Sequence, residues 1–450
     1  MTRPALVERL PTPGDAVETT DGARFILGEP LGRGNQGAVF SLRLPAGAAP
    51  LCAKIYLGLD DARAARMRTR LEQLRQLPAT DQLVLPRKVL RAPKLGYVMN
   101  QVIGHSSIGA LSTRPSGASV RPWYAEGGGL RRRLLLGLEL CAAFRDLHAR
   151  GLAYCDLSFD NVLVSGDPLP RVRLIDCDNL TLPGTPGSNV AGTPWFIAPE
   201  ILSGASSPDI FTDVHSLAVL LYHLLVLTHP LLGDAIRTDT TDAEDAALRG
   251  RWPGGGVLPW IDAPDDARNR AGSGLPRHLV LSPGIAATFD RAFSDGLHDR
   301  TRRPSEGTWA EVLGRAVDAV VGCPACRNTN WLGAGECAWC GKPVAPPTVL
   351  VLRHTDGRRP VVVEQRRRLY PRHLLFRRDT LGEAPLAEVG FVGDQLTLES
   401  RAELAFDLRS EDGRAVRVEP GARAPLALGD VFRLGPKGVE VEVQHVGAKR

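Results

Sequence analysis

The segment Asp156-Leu-Ser-Phe-Asp-Asn161, followed after Val172-Arg-Leu-Ile175 by the lone carboxylate Asp176, constrains this chain more than any other feature. It supplies an acid, an amide and a second acid where a metal-bound triphosphate could be gripped and a hydroxyl deprotonated. Asp156 would orient the incoming hydroxyl, and Asn161 and Asp176 would hold a divalent cation against the phosphates. On their own, two aspartates and an asparagine on loops are commonplace turn residues. Their setting is not commonplace. Upstream stand Gly32-Arg-Gly34-Asn-Gln-Gly37-Ala-Val39 and Leu51-Cys-Ala-Lys54; downstream stands Gly192-Thr-Pro-Trp-Phe-Ile-Ala-Pro-Glu200. Four unrelated signals in one order are hard to obtain by chance.

A chain of 450 residues has room for two or three domains with a sizeable core. The formal net charge of +5 implies no strong polyanionic partner. No apolar run reaches the length needed to cross a bilayer; the best, 217–227, is short and interrupted by His223. The N-terminus lacks a signal-peptide core, so a cytoplasmic location without membrane association is expected. The eight cysteines divide sharply. Cys52, Cys141, Cys155 and Cys177 are scattered and read as small packed side chains, whereas Cys323, Cys326, Cys337 and Cys340 form two Cys-x-x-Cys pairs. That partition suits a reducing compartment better than a disulfide scaffold.

From about residue 22, short apolar runs alternate with turns and read as hairpin-connected strands, with the glycine loop at the first turn. Glycine lets backbone N–H groups approach phosphates without an intervening Cβ. A lone G-x-G-x-x-G is often only a flexible hairpin, but here Lys54 follows on a strand at suitable separation. Residues 60–77 read as a helix, with Met67, Leu71 and Leu74 on one stripe and Glu72 as its only glutamate.

Together these segments resemble the protein kinase superfamily. The resemblance implies an α+β, bilobal kinase fold, with a β-rich small lobe and a helical large lobe, over residues 22–320 after an N-terminal segment 1–21. It further implies that Gly32, Gly34, Gly37 and Val39 cover ATP and that Lys54 pairs with its phosphates. Glu72 would tether Lys54, with a surface pair to Arg68 or Arg75 as the plainer alternative. Met99 would be the gatekeeper, the backbone of Asn100 to Val102 would meet the adenine, and Asn161 and Asp176 would hold Mg²⁺. Asp156 is the implied base. Asp213 would brace the catalytic loop, and Arg303 would pair with Glu200.

Several positions depart from the family pattern. Tyr154-Cys155-Asp156 lacks the arginine that reads a phosphorylated activation loop, which argues against obligatory activation by a loop phosphate. Ser158 stands where a lysine usually helps neutralise the γ-phosphate, which puts rate more than ATP binding in doubt. Asp176-Cys177-Asp178 replaces Asp-Phe-Gly, so flipping of the metal loop is disfavoured. Asp178 reads as a turn residue in preference to a second metal ligand. The activation segment 180–191 carries Thr181, Thr185 and Ser188 as possible modification sites, and the Gly-Thr form at Thr193 leans toward Ser/Thr specificity. Loop-rich residues 233–283 lie in a region that often docks substrates in kinases.

Ten residues separate Cys326 from Cys337, and two such knuckles can present four thiolates tetrahedrally to Zn²⁺. A closed structural zinc ribbon is expected over 321–343, with Trp331 and Trp339 packed around it; disulfides or a redox dithiol are the alternative. After the linker Lys342-Pro-Val-Ala-Pro-Pro347, alternating strands predict a small all-β sandwich over 344–450. Its end resembles the last strands of a forkhead-associated domain, without the family's phosphothreonine pocket. Arg366, Arg367, Arg368, Arg372, Arg377 and Arg378 read as a solvated basic face.

The combination of kinase, altered loops and zinc ribbon is similar to bacterial Ser/Thr kinases of stress and tellurite-resistance systems. That similarity implies a protein substrate, a partner phosphatase and a von Willebrand-type partner. The rival reading is a nucleotide-binding pseudokinase that scaffolds partners. A zinc-dependent nucleic-acid binder would need a basic ribbon, and Cys337-Ala-Trp-Cys340 is not flanked by one.

Overall fold

The computed structural model describes residues 11–34, 37–181, 192–237, 258–375 and 384–445. Thr185 and Ser188, residues 238–257 of the loop-rich region, and Arg377 and Arg378 lie outside the described residues.

The small lobe is one antiparallel sheet in the order β1-β2-β3-β4-β6-β5. Its strands are β1 (Ala16–Glu18), β2 (Arg24–Gly34), β3 (Gly37–Arg43), β4 (Leu51–Tyr56), β5 (Lys88–Val89) and β6 (Gly96–Asn100). The sheet therefore starts before residue 22, because Val17 is buried and pairs with Phe25. Alternation sends Leu27, Phe40, Ala53, Ile55 and Val98 to one buried face and Cys52, Tyr56, Tyr97 and Met99 to the other. Helix α1 (Asp61–Leu74) covers the second face with Leu71. It begins where the Asp60 carboxylate accepts the Arg63 N–H at 2.8 Å, satisfying an otherwise unpaired donor of the first turn.

The large lobe is built on two long helices, Gly129–Ala149 and Ile210–Val226. The second is apolar on nearly every face, the pattern of a helix enclosed by others. Asp209 and Thr212 close its N-terminus as a reciprocal capping box. Gly137 marks the crossing with the helix Glu306–Asp318, since a Cβ there would lie 2.9 Å from Leu313 and 3.0 Å from Leu221. Glycine is needed here for close approach.

A three-stranded sheet, β7 (His105–Ser107), β8 (Val162–Ser165) and β9 (Val172–Leu174), lies on the cleft side of this lobe. Beyond it, Val320–Gly322 and Thr329–Trp331 form a two-stranded ribbon. A sandwich follows. One sheet orders Gly357–Val363, Thr348–His354, Glu440–His445, Val431–Leu434, Phe406–Arg409 and Ala415–Val418; the other orders Arg366–Leu369, Ala387–Val392, Gln395–Ser400 and Arg423–Pro425. Their inner faces meet in a core around Phe406, Phe432, Leu350 and Leu398.

The expected solvated basic face is corrected at two positions. Arg367 and Arg372 turn inward and, with His373, bind the buried carboxylate of Asp318 at the end of the helix Glu306–Asp318. A buried carboxylate needs cationic partners, and these side chains come from the sandwich. Likewise Trp331 and Trp339 do more than pack around the ribbon. Trp339 stacks on Tyr124 at 5.1 Å, and the Trp331 indole donates to the His278 carbonyl at 3.0 Å. Both dock the ribbon on the large lobe. Among the described residues, no helix is long and apolar enough to cross a membrane.

Candidate active site

The β8–β9 pairing explains how Asp156, Asn161 and Asp176 meet. Val162 pairs with Leu174, so the residues just outside the ladder, Asn161 and Ile175, are also neighbours, and the Ile175 N–H donates to the Asn161 carbonyl at 3.0 Å. The catalytic loop thus enters β8 beside the point where the metal loop leaves β9. Asp213 holds the same loop from below, accepting the N–H groups of Tyr154 at 2.5 Å and Cys155 at 2.9 Å. His148 lies 3.0 Å from Asp213 and also contacts Glu306. Burial alone would lower the His148 pKa, but the two carboxylates on its ring nitrogens more than offset this and raise it to about 9. Glu200 and Arg303 form a bidentate pair at 2.7 Å, as the resemblance implies.

Asp156 is oriented from two sides. Thr193 Oγ1 donates to its Oδ1 at 2.9 Å, and the Asn179 amide reaches Oδ2 at 3.4 Å. Asn161 donates its amide N–H to the Asp156 carbonyl at 2.8 Å, which leaves its amide oxygen as the atom able to bind a cation. Ser158 is buried. Among the described residues no Lys or Arg forms an ion pair with Asp156.

The two lobes meet at Lys54. Its Nζ lies 3.2 Å from Asp176 Oδ1 and 3.0 Å from Asp178 Oδ2. Burial would lower the lysine pKa, but Asp178 and then Asp176 hold it raised, so it stays charged. Asp176 is itself pushed up, first by burial and also by Asp178, with Lys54 opposing. The fully buried Asp178 and the half-buried Asp176 share one ammonium, so the cluster lacks positive charge. A divalent cation at Asp176 and Asn161 fits that deficit and the oxygen-rich donor set.

The expected tether from Glu72 is corrected. Glu72 pairs with Arg75 at 2.8 Å and accepts from Thr20 at 3.3 Å, on the solvent side of α1. Helical rotation instead turns Arg70 inward, where it donates to the carbonyls of Asp178 and Leu180, each at 2.5 Å. Asp178 lies in the short helical turn Cys177–Asn179, as read, but it is more than a turn residue: it is fully buried, ion-paired with Lys54 and hydrogen-bonded by Tyr56. One sequence signal could have found it, the acid in place of the glycine of the metal loop.

The nucleotide-facing positions spread along the cleft. Gly32 and Gly34 are exposed at the end of β2, with open space where a Cβ would point. Gly37 differs: its absent side chain accommodates β4, because a Cβ would meet the Ile55 carbonyl at 2.2 Å. Val39 pairs with Lys54 across β3 and β4 and is half-buried. Met99 is buried opposite Cys52 in the β4–β6 register, Asn100 is exposed and accepts from Arg87 at 2.7 Å, and Val102 is half-buried.

The four ribbon cysteines place their sulfurs within 4.8 Å of one another. Cys323 and Cys340 are 3.8 Å apart and Cys326 and Cys337 are 3.6 Å apart, far beyond a disulfide bond. A tetrahedron with Zn–S bonds of about 2.3 Å has S···S edges of about 3.8 Å. The donor set therefore fits zinc, and the Asn330 amide supports Cys337 Sγ at 3.5 Å.

Comparison with known proteins agrees with this geometry. The family description "Protein kinase domain" matches residues 25–249. The chain is 30% identical over 182 residues to serine/threonine-protein kinase SRK2B of Arabidopsis thaliana, covering 35% of this chain and 50% of that protein. It is 27% identical over 204 residues to a dual serine/threonine and tyrosine protein kinase of Danio rerio, covering 44% and 21% respectively. Over 121 residues it is 34% identical to human protein kinase C delta type, covering 25% and 18%. It thus spans half or less of the length of these relatives. The ordered small-lobe sheet, the paired loops beneath it and the family match over half its length place this chain in the protein kinase family.

Proposed function

We propose that the chain transfers the γ-phosphoryl group of Mg-ATP to serine or threonine hydroxyls of protein substrates. The observation that carries this reading is the contact of Lys54 with Asp176 across the lobes, beside a loop that presents Asp156 and Asn161. When bound, Mg²⁺ would neutralise the developing charge on the phosphates, held by Asp176 and Asn161. Lys54 supplies a fixed ammonium for the phosphates at the back of the cleft. Asp156 accepts the proton of the incoming hydroxyl, its carboxylate aligned by Thr193 and Asn179. Gly32, Gly34 and Gly37 frame the nucleotide from above, and the backbone of Asn100 to Val102 is placed to meet its base.

The preference for Ser and Thr rests on Thr193 and on similarity to serine/threonine kinases; the name of the Danio rerio relative covers both specificities. A second reading, a nucleotide-holding scaffold, is favoured by Ser158, since a missing cation beside the transferred group costs on the order of 3 kcal/mol of transition-state stabilisation. Four intact groups, Lys54, Asp156, Asn161 and Asp176, favour catalysis. A bacterial stress-response setting, a cytoplasmic location, a phosphatase and a von Willebrand-type partner belong to the same proposal, as does one structural zinc at Cys323, Cys326, Cys337 and Cys340.

Incubation with radiolabelled ATP and Mg²⁺ tests the catalytic claim. Incorporation by the wild type should fall by roughly 10²- to 10⁴-fold in Asp156→Ala. Tight Mg-ATP binding with equal, background incorporation in both proteins would favour the scaffold. Elemental analysis should return one zinc per chain, and none in native material would refute that assignment.

A further inference from the structure

We infer that Asp178, on the metal loop, takes over from a helix glutamate as the residue that positions Lys54; this rests on the kinase reading above. Lys54 and Tyr56 lie two residues apart on β4, so both side chains leave the same face of the sheet. Their Nζ and hydroxyl converge on one oxygen, Asp178 Oδ2. Tyr97, opposite Lys54 in register on β6, closes the same chamber. Asp178 is fully buried there, and its Oδ1 has no hydrogen-bond partner among the described residues. A buried carboxylate that is only half satisfied is costly, and its ion pair with Lys54 gives it a use.

The acid of helix α1 is not available for the task, because Glu72 faces Arg75 and Thr20. The helix acts through Arg70, which grips the backbone of the loop at Asp178 and Leu180. Position is therefore passed from helix to loop and from loop to lysine. The short helical turn Cys177–Asn179 then serves three groups. Asp176 precedes it, Asp178 holds Lys54, and Asn179 reaches Asp156. Lysine, metal-ligand and base positions are fixed by one rigid turn, so Asp178 is a positioning residue for the whole cleft.

The test compares Asp178→Asn with Glu72→Gln in steady-state ATP kinetics on a generic protein acceptor, with Mg-ATP binding measured by calorimetry. Misplacing a reacting group by about 1 Å costs on the order of a hundredfold, so Asp178→Asn should lower kcat by about ten- to a hundredfold with KM for ATP within about threefold. Glu72→Gln should stay within about twofold of wild type. In a Lys54→Ala background, Asp178→Asn should add less than about threefold, because the two residues act as one unit. Wild-type kcat in Asp178→Asn, an equal loss in Glu72→Gln, or multiplying losses with Lys54→Ala would each overturn the inference. If thermal melting shows Asp178→Asn unfolded, Glu72→Gln decides alone: a tenfold loss returns the role to the helix, and undiminished turnover leaves it with the loop. If the wild type transfers no phosphoryl group, the kinase reading fails separately. The same comparison is then read as affinity, with Mg-ATP binding weakened by about two- to threefold in Asp178→Asn and unchanged in Glu72→Gln.

Discussion

Two fully or almost fully buried aspartates, Asp178 in the cleft and Asp318 at the joint between the kinase and the sandwich, show how one side chain serves different ends. Asp318 is saturated. Its oxygens accept from Arg367, from Arg372 at 2.9 and 3.0 Å, and from His373 at 3.1 Å. Because the Tyr370 N–H donates to His373 Nδ1 at 2.9 Å, Nε2 carries the proton given to Asp318. Burial lowers the His373 pKa to about 4, so the ring is neutral at ordinary pH. Burial opposes the charge of Asp318, but Arg372, His373 and Arg367 pull its pKa far down. Asp178 is under-satisfied, with one oxygen shared by Lys54 and Tyr56 and the other without a hydrogen-bond partner among the described residues. Saturation builds a permanent joint. An unfilled acceptor beside a lysine and a second carboxylate leaves a charge deficit that a bound cation and nucleotide can answer.

Experiments that break each buried anionic cluster sharpen this contrast. The largest effect is expected at the thiolate cluster, since structural zinc binding is worth on the order of 10 kcal/mol in small fingers. Cys337→Ser, or a strong chelator, should lower the first thermal transition by many degrees and expose the ribbon to proteolysis; an unchanged melt would remove zinc from the account. Next, Asp318→Ala leaves Arg367 and Arg372 without their shared anion and should cost about 3–5 kcal/mol. The sandwich should become separable by limited proteolysis while turnover per folded kinase persists. Equal resistance to protease in both proteins would show that the joint is held elsewhere.

The third effect concerns His148, which links Asp213 to Glu306 below the catalytic loop. Its folded pKa of about 9 lies above the ordinary value of 6.5. Its stabilisation is therefore fully present below about pH 6.5 and is lost as pH rises through about 9, amounting to roughly 3 kcal/mol at most. Melting curves from pH 6 to 9.5 should show wild type and His148→Gln converging at the alkaline end; a constant gap would exclude this titration. The smallest effect belongs to Arg131 and Glu364, a partly exposed pair bridging the long helix and the sandwich. Arg131→Gln should cost about 1 kcal/mol or less in chemical denaturation.

Much of the active cleft was legible because its parts are local. The hairpins of the small lobe, the helix expected over 60–77 and observed at Asp61–Leu74, and the loops carrying Asp156, Asn161 and Asp176 each announce themselves in a few consecutive residues. Glu72 and Asp178 were misread for the opposite reason. Which side of α1 faces the lysine depends on how the helix rolls on the sheet, and a rotation that buries Leu71 turns Arg70 inward and leaves Glu72 with Arg75. The basic cluster failed in the same way, since a run of arginines carries no sign that Asp318, some fifty residues earlier, needs two of them.

By itself the order of residues determined the family, the acids and the amide proposed for the cleft, and the four thiols, because spacing along a loop or knuckle is a covalent property. The tertiary structure alone decided which carboxylate holds Lys54, where the ribbon tryptophans dock and which arginines turn inward to Asp318. Those outcomes depend on distances between segments far apart in the chain, where burial makes an unpaired charge costly and packing selects its partner.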